Sequence, residues 1–484
     1  MAGPRPAPAL VALLVACGET AGPPPPAAAR IDYVDGAVEP ILVPGQDAVI
    51  EGFGFGGAQG TGAVGFQQGS GVVTAPVAAW SDLAIRVAVP AGAVSGSLLV
   101  TTTTGRRLTA LVHVLPRLPF SPDTLVWKRR TTFPAAPIGV GAAAAETPLG
   151  DAVSTTLYAA GGAEPLGPRL VLDSGVYVAR APPAGGGSIG SWTRQRDTSD
   201  PARARVLPAP RALAAVAVAT RYNSRFAGST LYVIGGVDSA GRAQASVLAA
   251  AVTPDSVSSP FAPIEALPAP VVGAAAVVKR GRIYVIGGTD SAGRPQRTVY
   301  VGRIGVDGHI DGWYQQPMLS APRAYGGGVV LDDHAVAFGG VADSVPPGGG
   351  IDPATARLAS SDTAPVSLAS GFLAGPWAAG PVLLPAGRSQ FATLDLGDAV
   401  LVVGGMYDGA ATNSAETIAA AVADGSIGPF VGTVGATTIA GQGGGTLVGP
   451  TGVSWRDGDG SRHALVIGGT DLATRQREAG VWGF

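Results

Sequence analysis

Leu231-Tyr232-Val233-Ile234-Gly235-Gly236 and Ile283-Tyr284-Val285-Ile286-Gly287-Gly288 are nearly the same six-residue phrase, written 52 positions apart. Each is a short apolar run, β-branched and aromatic in composition, stopped by two glycines. That pattern predicts a buried strand ending in a turn. The phrase recurs, in looser form, with doublets at Gly161-Gly162, Gly339-Gly340, Gly404-Gly405 and Gly468-Gly469. From first glycine to first glycine the intervals are 74, 52, 52, 65 and 64 residues. Two equal intervals define the unit, and the longer ones carry insertions.

A second landmark follows each of the first five doublets: Trp192, Phe261, Trp313, Trp377 and Phe430, each after a turn rich in Gly, Ser, Ile or Val. The sixth doublet has no such aromatic before Phe484, whereas Trp127, in Asp123-Thr124-Leu125-Val126-Trp127, precedes the first doublet and has none of its own. The economical solution is a closed ring. The strand near Trp127 then supplies the outer strand of the sheet built by the C-terminal residues, which removes the joint where a ring could part. A glycine doublet closing a strand, a later aromatic and a repeat near 50 residues together resemble the kelch repeat. Over residues 119-484 the resemblance implies a six-bladed β-propeller whose pore mouth commonly binds ligands. A six-repeat solenoid fits less well, because it has no use for the displaced Trp127 strand.

Composition agrees with an all-β fold class. Gly (73) and Pro (41) are abundant among 484 residues, and charged side chains make up only 14%, against an average of about 25%. Mean hydropathy is +0.31, yet no apolar run approaches the ~20 residues that a spanning helix needs. A net charge of −2 provides no electrostatic footprint for nucleic acid or anionic lipid. Of the basic residues only Lys128 and Lys279 are lysines.

Residues 30-116 read as a small β-sandwich. Leu83, Ile85, Val87 and Val89 alternate with Ala84, Arg86 and Ala88 up to Pro90, which predicts a strand with one buried face. Val94-Ser95-Gly96-Ser97 then turns the chain into Leu98–Thr104. Pro44-Gly45, Ala48–Gly52, Phe53-Gly54-Phe55, Trp80-Ser81-Asp82 and Gly96 resemble an IPT/TIG immunoglobulin-like domain. That resemblance implies a spacer or a contact module for proteins and sugars, without catalytic residues.

The N-terminus carries Arg5, then the apolar run Ala9–Ala16, then Cys17 and Gly18. The run is too short to span a bilayer permanently and suits the apolar core of a secretory signal. Leu14-Val15-Ala16-Cys17 resembles the bacterial lipobox. Residues 1-16 are then a lipoprotein signal peptide, Cys17 is the lipidation site, and 17-29, with four prolines at Pro23–Pro26, form a tether. The competing reading is a cleaved, unlipidated signal ending near Ala27-Ala28-Ala29. Gly18 directly after the cysteine favours delivery to the outer membrane or cell surface of the bacterial envelope. Cys17 is the single cysteine, so no disulfide forms within the chain.

No HExxH, CxxC, GxSxG or Walker A pattern is present. Galactose-oxidase-like copper enzymes also join a kelch propeller to an immunoglobulin-like domain. Their cofactor needs a cysteine crosslinked to a tyrosine, and the only cysteine here lies in the lipobox. No cofactor or metal is expected. His334 and His463 fall at a variable strand-entry position, His309 in a turn, and His113 on the outer face of its strand. Asp457-Gly458-Asp459-Gly460 has the acidic spacing of a calcium loop without the remaining ligands, and a polar hairpin reads the same way. Asp238–Arg242 and Asp290–Arg294 are identical, DSAGR, and predict duplicated hairpin turns.

Arg211, Arg323 and Arg388 stand out. Each opens a first strand after Pro210, Pro322 or Gly387, and the last two lie 16 residues before their doublets. Equivalent register puts them around the pore mouth, where three guanidiniums would hold a carboxylate or acidic peptide bidentately. Alternatively each pairs with an acid or carbonyl of its own repeat. The expected function is a lipid-anchored, non-enzymatic binding, adhesion or scaffold protein with a protein or glycan ligand. The alternative is a carbohydrate-active kelch enzyme, a sugar mutarotase or epimerase. Titratable groups beside the arginines would favour the enzyme, and a bare, Gly-lined funnel would favour binding by outer loops.

Overall fold

The computed structural model describes residues 28–484 except 135–137, 150–151, 167–168, 183–187, 197–199, 201–203, 221–227, 306, 332, 347–354, 409–416, 424, 433–446 and 472–479. Cys17, the signal segment and most of the tether lie outside the described residues. The chain is all-β, and among the described residues the one helical element is a 3-10 turn at Pro122–Thr124.

Six antiparallel sheets of four or five strands, with three two-stranded ribbons beside them, occupy the described residues from 128 onward. Sheets I to V begin with the strands Gly141–Leu149, Ala215–Ala219, Ala275–Lys279, Gly327–Val330 and Ala392–Asp395. Each continues outward through the strand that the doublet closes to a third strand, with shorter strands at the outer edge. Sheet VI is ordered Thr451–Arg456, Arg462–Ile467, Gly480–Gly483, Lys128–Thr132. Its outer strand therefore comes from the other end of the chain, with Lys128 opposite Gly483 and Thr132 opposite Gly480. The first strands pack side by side in the order I to VI, and that of VI also packs on that of I.

Five of the six aromatic landmarks sit directly before an outer strand, whereas Trp313 lies within its own, Ile310–Gln315. Trp192, Phe261, Trp377 and Phe430 each directly precede an outer strand. Trp127 does the same for Lys128–Thr132. Pro122 holds Asp123 and Thr124 in the 3-10 turn, so the strand starts only after the tryptophan. The Trp127 ring is buried between sheets V and VI, donates Nε1–H to Thr417 Oγ1 at 2.7 Å, and meets Phe484 edge-on at 5.1 Å.

Both glycines of every doublet have positive φ, for example +63° and +84° at Gly235 and Gly236. A side chain at Gly339 would put Cβ 2.8 Å from the backbone oxygen of Arg388, which leads into sheet V. The doublet is thus both a left-handed turn and a point of close backbone approach between sheets. Tyrosines three residues before a doublet tie neighbouring sheets together. The Tyr158 hydroxyl donates to the Thr253 carbonyl at 2.7 Å, Tyr232 to Gly308 at 2.7 Å, and Tyr284 to Gly371. Burial pushes the Tyr284 hydroxyl up to about 12, so it stays a donor throughout the accessible pH range. Tyr232→Phe strands the buried Gly308 carbonyl and is expected to cost ~1–2 kcal/mol in urea unfolding. A change within about 0.3 kcal/mol would show the bond to be dispensable.

Residues 30–114 form two sheets over a shared core that includes Val34, Ile50, Phe55, Phe66, Ile85, Val87 and Leu98. One sheet is ordered Arg30–Val34, Asp47–Phe53, Ala84–Ala88, Val77–Trp80. The other is Ile41–Leu42, Arg107–Val114, Gly96–Thr101, Ala63–Gln68, Gly71–Thr74. Ile85, Val87 and Val89 are buried as the alternation predicts, but Leu83 is 55% exposed. Ser81 Oγ accepts the Leu83 and Ala84 N–H groups, so Leu83 belongs to a turn and the strand begins at Ala84. His113, expected at the surface, is buried: Ile41–Leu42 pairs in parallel with the end of its strand, and Glu39 lies 3.8 Å away.

Candidate functional site

The six first strands surround an opening with two unlike ends. At the end where the doublets lie, Arg211, Arg323 and Arg388 occupy equivalent positions, and each bridges two sheets. Its backbone carbonyl accepts the N–H of the second glycine in the preceding sheet's doublet: Gly162 to Arg211 at 2.8 Å, Gly288 to Arg323 at 2.8 Å, and Gly340 to Arg388 at 2.7 Å. Its guanidinium donates to the first glycine of its own doublet: Arg211 to the Gly235 oxygen at 2.7 Å, Arg323 to Gly339, and Arg388 to Gly404 at 3.2 Å. The side chains are only 5%, 3% and 4% exposed. Arg323 also faces buried Asp362 at 3.5 Å, and Arg388 lies over the Tyr407 ring at 5.2 Å. Burial lowers the pKa of Arg211 and Arg323, although both remain cations. The equivalence predicted from the register is observed. The guanidiniums, however, bond to carbonyls of their own sheets instead of sharing one funnel, which is the pairing within each repeat that the sequence offers as the alternative.

Nearer the axis, a collar of backbone hydrogen bonds links one sheet to the next. Leu213 donates to Gly139 at 2.8 Å, Gly273 to Leu213 at 3.2 Å, Tyr325 to Gly273 at 2.8 Å, Gln390 to Tyr325 at 2.9 Å and Gly449 to Gln390 at 2.9 Å. All six residues have positive φ, including the non-glycines Leu213, Tyr325 and Gln390. Inside the collar lies a cavity of about 210 Å³, with Ala142, Val216, Ala276 and Gly326 among its lining residues. The DSAGR hairpins follow the second and third doublets, and the two are matched. Asp238 and Asp290 each bind the N–H groups two and four residues on, and pair with Arg242 and Arg294 at 2.9 and 2.8 Å.

The opposite end carries the titratable groups and is covered by the two-sheet unit. Two cavities, about 310 and 460 Å³, lie in this seam and share Asp35 and Lys279. Glu146 opens on the first and accepts the Arg456 N–H at 2.7 Å, and burial raises its pKa. Asp47, Arg86, Asp333, Asp395 and Asp398 surround the second. Sequence reasoning missed this cluster, because its members come from distant hairpins with no shared motif.

The acidic loop at Asp457 and Asp459 is a hairpin of sheet VI held by its own carboxylates. Asp457 accepts the Trp455 indole N–H at 3.1 Å and pairs with His463 Nε2 at 2.9 Å, while Asp459 caps the Ser461 N–H at 2.8 Å. Among the described residues no group of three or more His, Cys, Asp or Glu is placed to hold a metal ion. Burial lowers the His463 pKa, but Asp457 and the Phe484 carbonyl outweigh it and leave the pKa above its ordinary value of 6.5. The stabilisation is therefore complete below pH 6.5 and is lost as pH rises through the folded value. His463→Gln is expected to lower Tm more at pH 6 than at pH 9. Equal losses at both would remove His463 from the hairpin's energetics. His309 pairs with Asp307 at 3.1 Å in an exposed turn, and His334 pairs with Asp333 at 2.7 Å.

Residues 270–301 match the family model described as the Kelch motif. The match covers the first two strands of sheet III, the doublet Gly287-Gly288 and the first half of the third strand, Val299–Ile304. No curated protein matches the chain.

Proposed function

We propose that this chain is a lipid-anchored, non-enzymatic binding or scaffold protein of the bacterial cell envelope. Its parts are a tether lipidated at Cys17, an IPT/TIG domain over residues 30-116, and a six-bladed kelch propeller over 119-484. The propeller binds a protein or glycan through the loops at the doublet end. The observation that carries the reading is the cyclic packing of six sheets around an opening whose doublet end is lined mainly by glycines and small apolar residues, with Tyr325, Gln390 and Thr451 as its polar side chains. Such a wall offers shape and a few neutral hydrogen-bonding groups. The Kelch match at sheet III and the pairing of Lys128–Thr132 with Gly480–Gly483 support the propeller. With the guanidiniums of Arg211, Arg323 and Arg388 engaged by carbonyls of their own sheets, the contact groups are the loops, and the two DSAGR hairpins are the leading ones.

A glycan and envelope-protein array probed with the full chain tests this reading. Replacing both DSAGR hairpins by Gly-Ser turns is expected to abolish the detected interaction, and an undiminished signal would move the site elsewhere. A chain that binds nothing but speeds sugar mutarotation or epimerisation would establish the enzymatic alternative. Cys17→Ser is expected to release the protein from membranes, and unchanged fractionation would refute the anchor.

A further inference from the structure

The two-sheet unit meets the six sheets through a few named contacts. Tyr33 packs on the apolar cluster of sheets II and III that contains Ala219, Tyr232 and Ile283. The turn at Asp35-Gly36 lies back to back with the hairpin turn at Arg280-Gly281, so closely that a side chain at Gly36 would collide with the Arg280 backbone. Asp35 lies 3.5 Å from Arg280 Nε, Arg86 lies 3.7 Å from Asp333, and Arg117 lies 3.6 Å from Asp398. Glu51 stands directly opposite Tyr33 in the strand pairing, so both project from the same face of their sheet, towards the seam.

We infer that the two-sheet unit is a proton-operated cover over one end of the opening, seated while the Glu51 carboxyl in the seam is neutral and released when that carboxyl ionises. The charges that act on Glu51 are Arg282 and Arg280 of sheet III and Asp35 and Asp32 of its own unit, its own charge acts on the Tyr284 hydroxyl, and Tyr33 is its cross-strand neighbour. The arginines offset its charge only in part. Arg280 faces Asp35, while Arg282 donates to the Ser370 carbonyl at 3.0 Å and lies over the Phe372 ring at 5.7 Å. Burial dominates and raises Glu51 from 4.5 to about 7, against the pull of Arg282 and Arg280. A carboxyl whose pKa is raised in the seated state favours seating at low pH and loses that contribution as pH rises through about 7. Between pH 5.5 and 8.5 the seating equilibrium then weakens roughly thirtyfold. Asp35, Asp333, Asp398, His113 and His334 are further ionisable groups of the two-sheet unit and of the hairpins it meets, which is why the test needs a Glu51 variant. The inference holds whichever ligand the doublet end binds.

The test uses the full chain with Cys17→Ser and a donor–acceptor dye pair on Ala91→Cys and Ala266→Cys, one exposed site on each side of the seam. The ratio of long-distance to short-distance populations is expected to rise about thirtyfold from pH 5.5 to 8.5. Glu51→Gln is expected to remove the pH dependence and to hold that ratio about tenfold below the wild-type pH 5.5 value throughout. A wild-type ratio that does not move, or a Glu51→Gln chain that follows the wild-type curve, overturns the inference. If Glu51→Gln fails to fold, Tyr33→Ala takes its place. It is expected to raise the released population at every pH while keeping the midpoint near 7, and a flat pH response in that chain overturns the inference equally.

Discussion

Deleting residues 480–484 is expected to cost more than 5 kcal/mol and to break the single unfolding transition. The deletion removes Val481, fully buried in the core between sheets VI and I, together with Trp482 and Phe484. It strips Lys128–Thr132 of its partner and leaves Trp127 without the ring that meets it edge-on. Losing one large buried side chain typically costs 3–5 kcal/mol, and a domain holds only about 5–15 in total. Urea unfolding followed by tryptophan fluorescence checks this. A truncated chain that keeps the full-length midpoint and slope would mean that the pairing of the two chain ends adds nothing to the fold.

Arg323→Ala is the second large effect, expected at ~3–5 kcal/mol. Asp362 is 1% exposed, and removal of its guanidinium neighbour leaves a buried charge uncompensated. The Gly339 carbonyl also loses its donor. Changing Asp362 to Leu alongside Arg323→Met is expected to recover much of the loss, since an apolar pair of similar volume tolerates burial better than a broken ion pair. Arg388→Ala, which loses a carbonyl contact and a ring contact, is expected to cost less, about 2 kcal/mol. An arginine open to the mouth would behave differently, with binding lost and stability kept. A stability change under 1 kcal/mol in chemical denaturation of Arg323→Ala would therefore return the guanidinium to the ligand.

Much of the architecture is legible because it depends on local constraints. The doublets need positive φ at two successive residues, which almost demands glycine, and all six can be read directly. Trp127 is legible because its spacing is wrong for any repeat that starts where its neighbours do, and pairing with Gly480–Gly483 resolves that mismatch. The sequence leaves the direction of Arg211, Arg323 and Arg388 open between the mouth and a partner in the same repeat, and the structure shows the second. Register places a Cα, but the guanidinium goes to the nearest buried carbonyl, which belongs to a doublet 16 to 24 residues further on. Leu213, Tyr325 and Gln390 share the left-handed conformation of Gly139, Gly273 and Gly449, although nothing in their residue types announces it. Tyr33 and Glu51 look like ordinary sheet residues until another sheet is laid against them.

The backbone collar has an electrical consequence. Every one of its five amides points to the carbonyl of the sheet before it, so the peptide dipoles run head to tail around the mouth. Helix dipoles add along an axis and leave bare poles, whereas dipoles that follow a ring turn against one another, and five links among six sheets leave this ring unclosed between Gly449 and Gly139. The mouth is thus held together by hydrogen bonds whose net dipole is smaller than that of the same amides stacked in a helix.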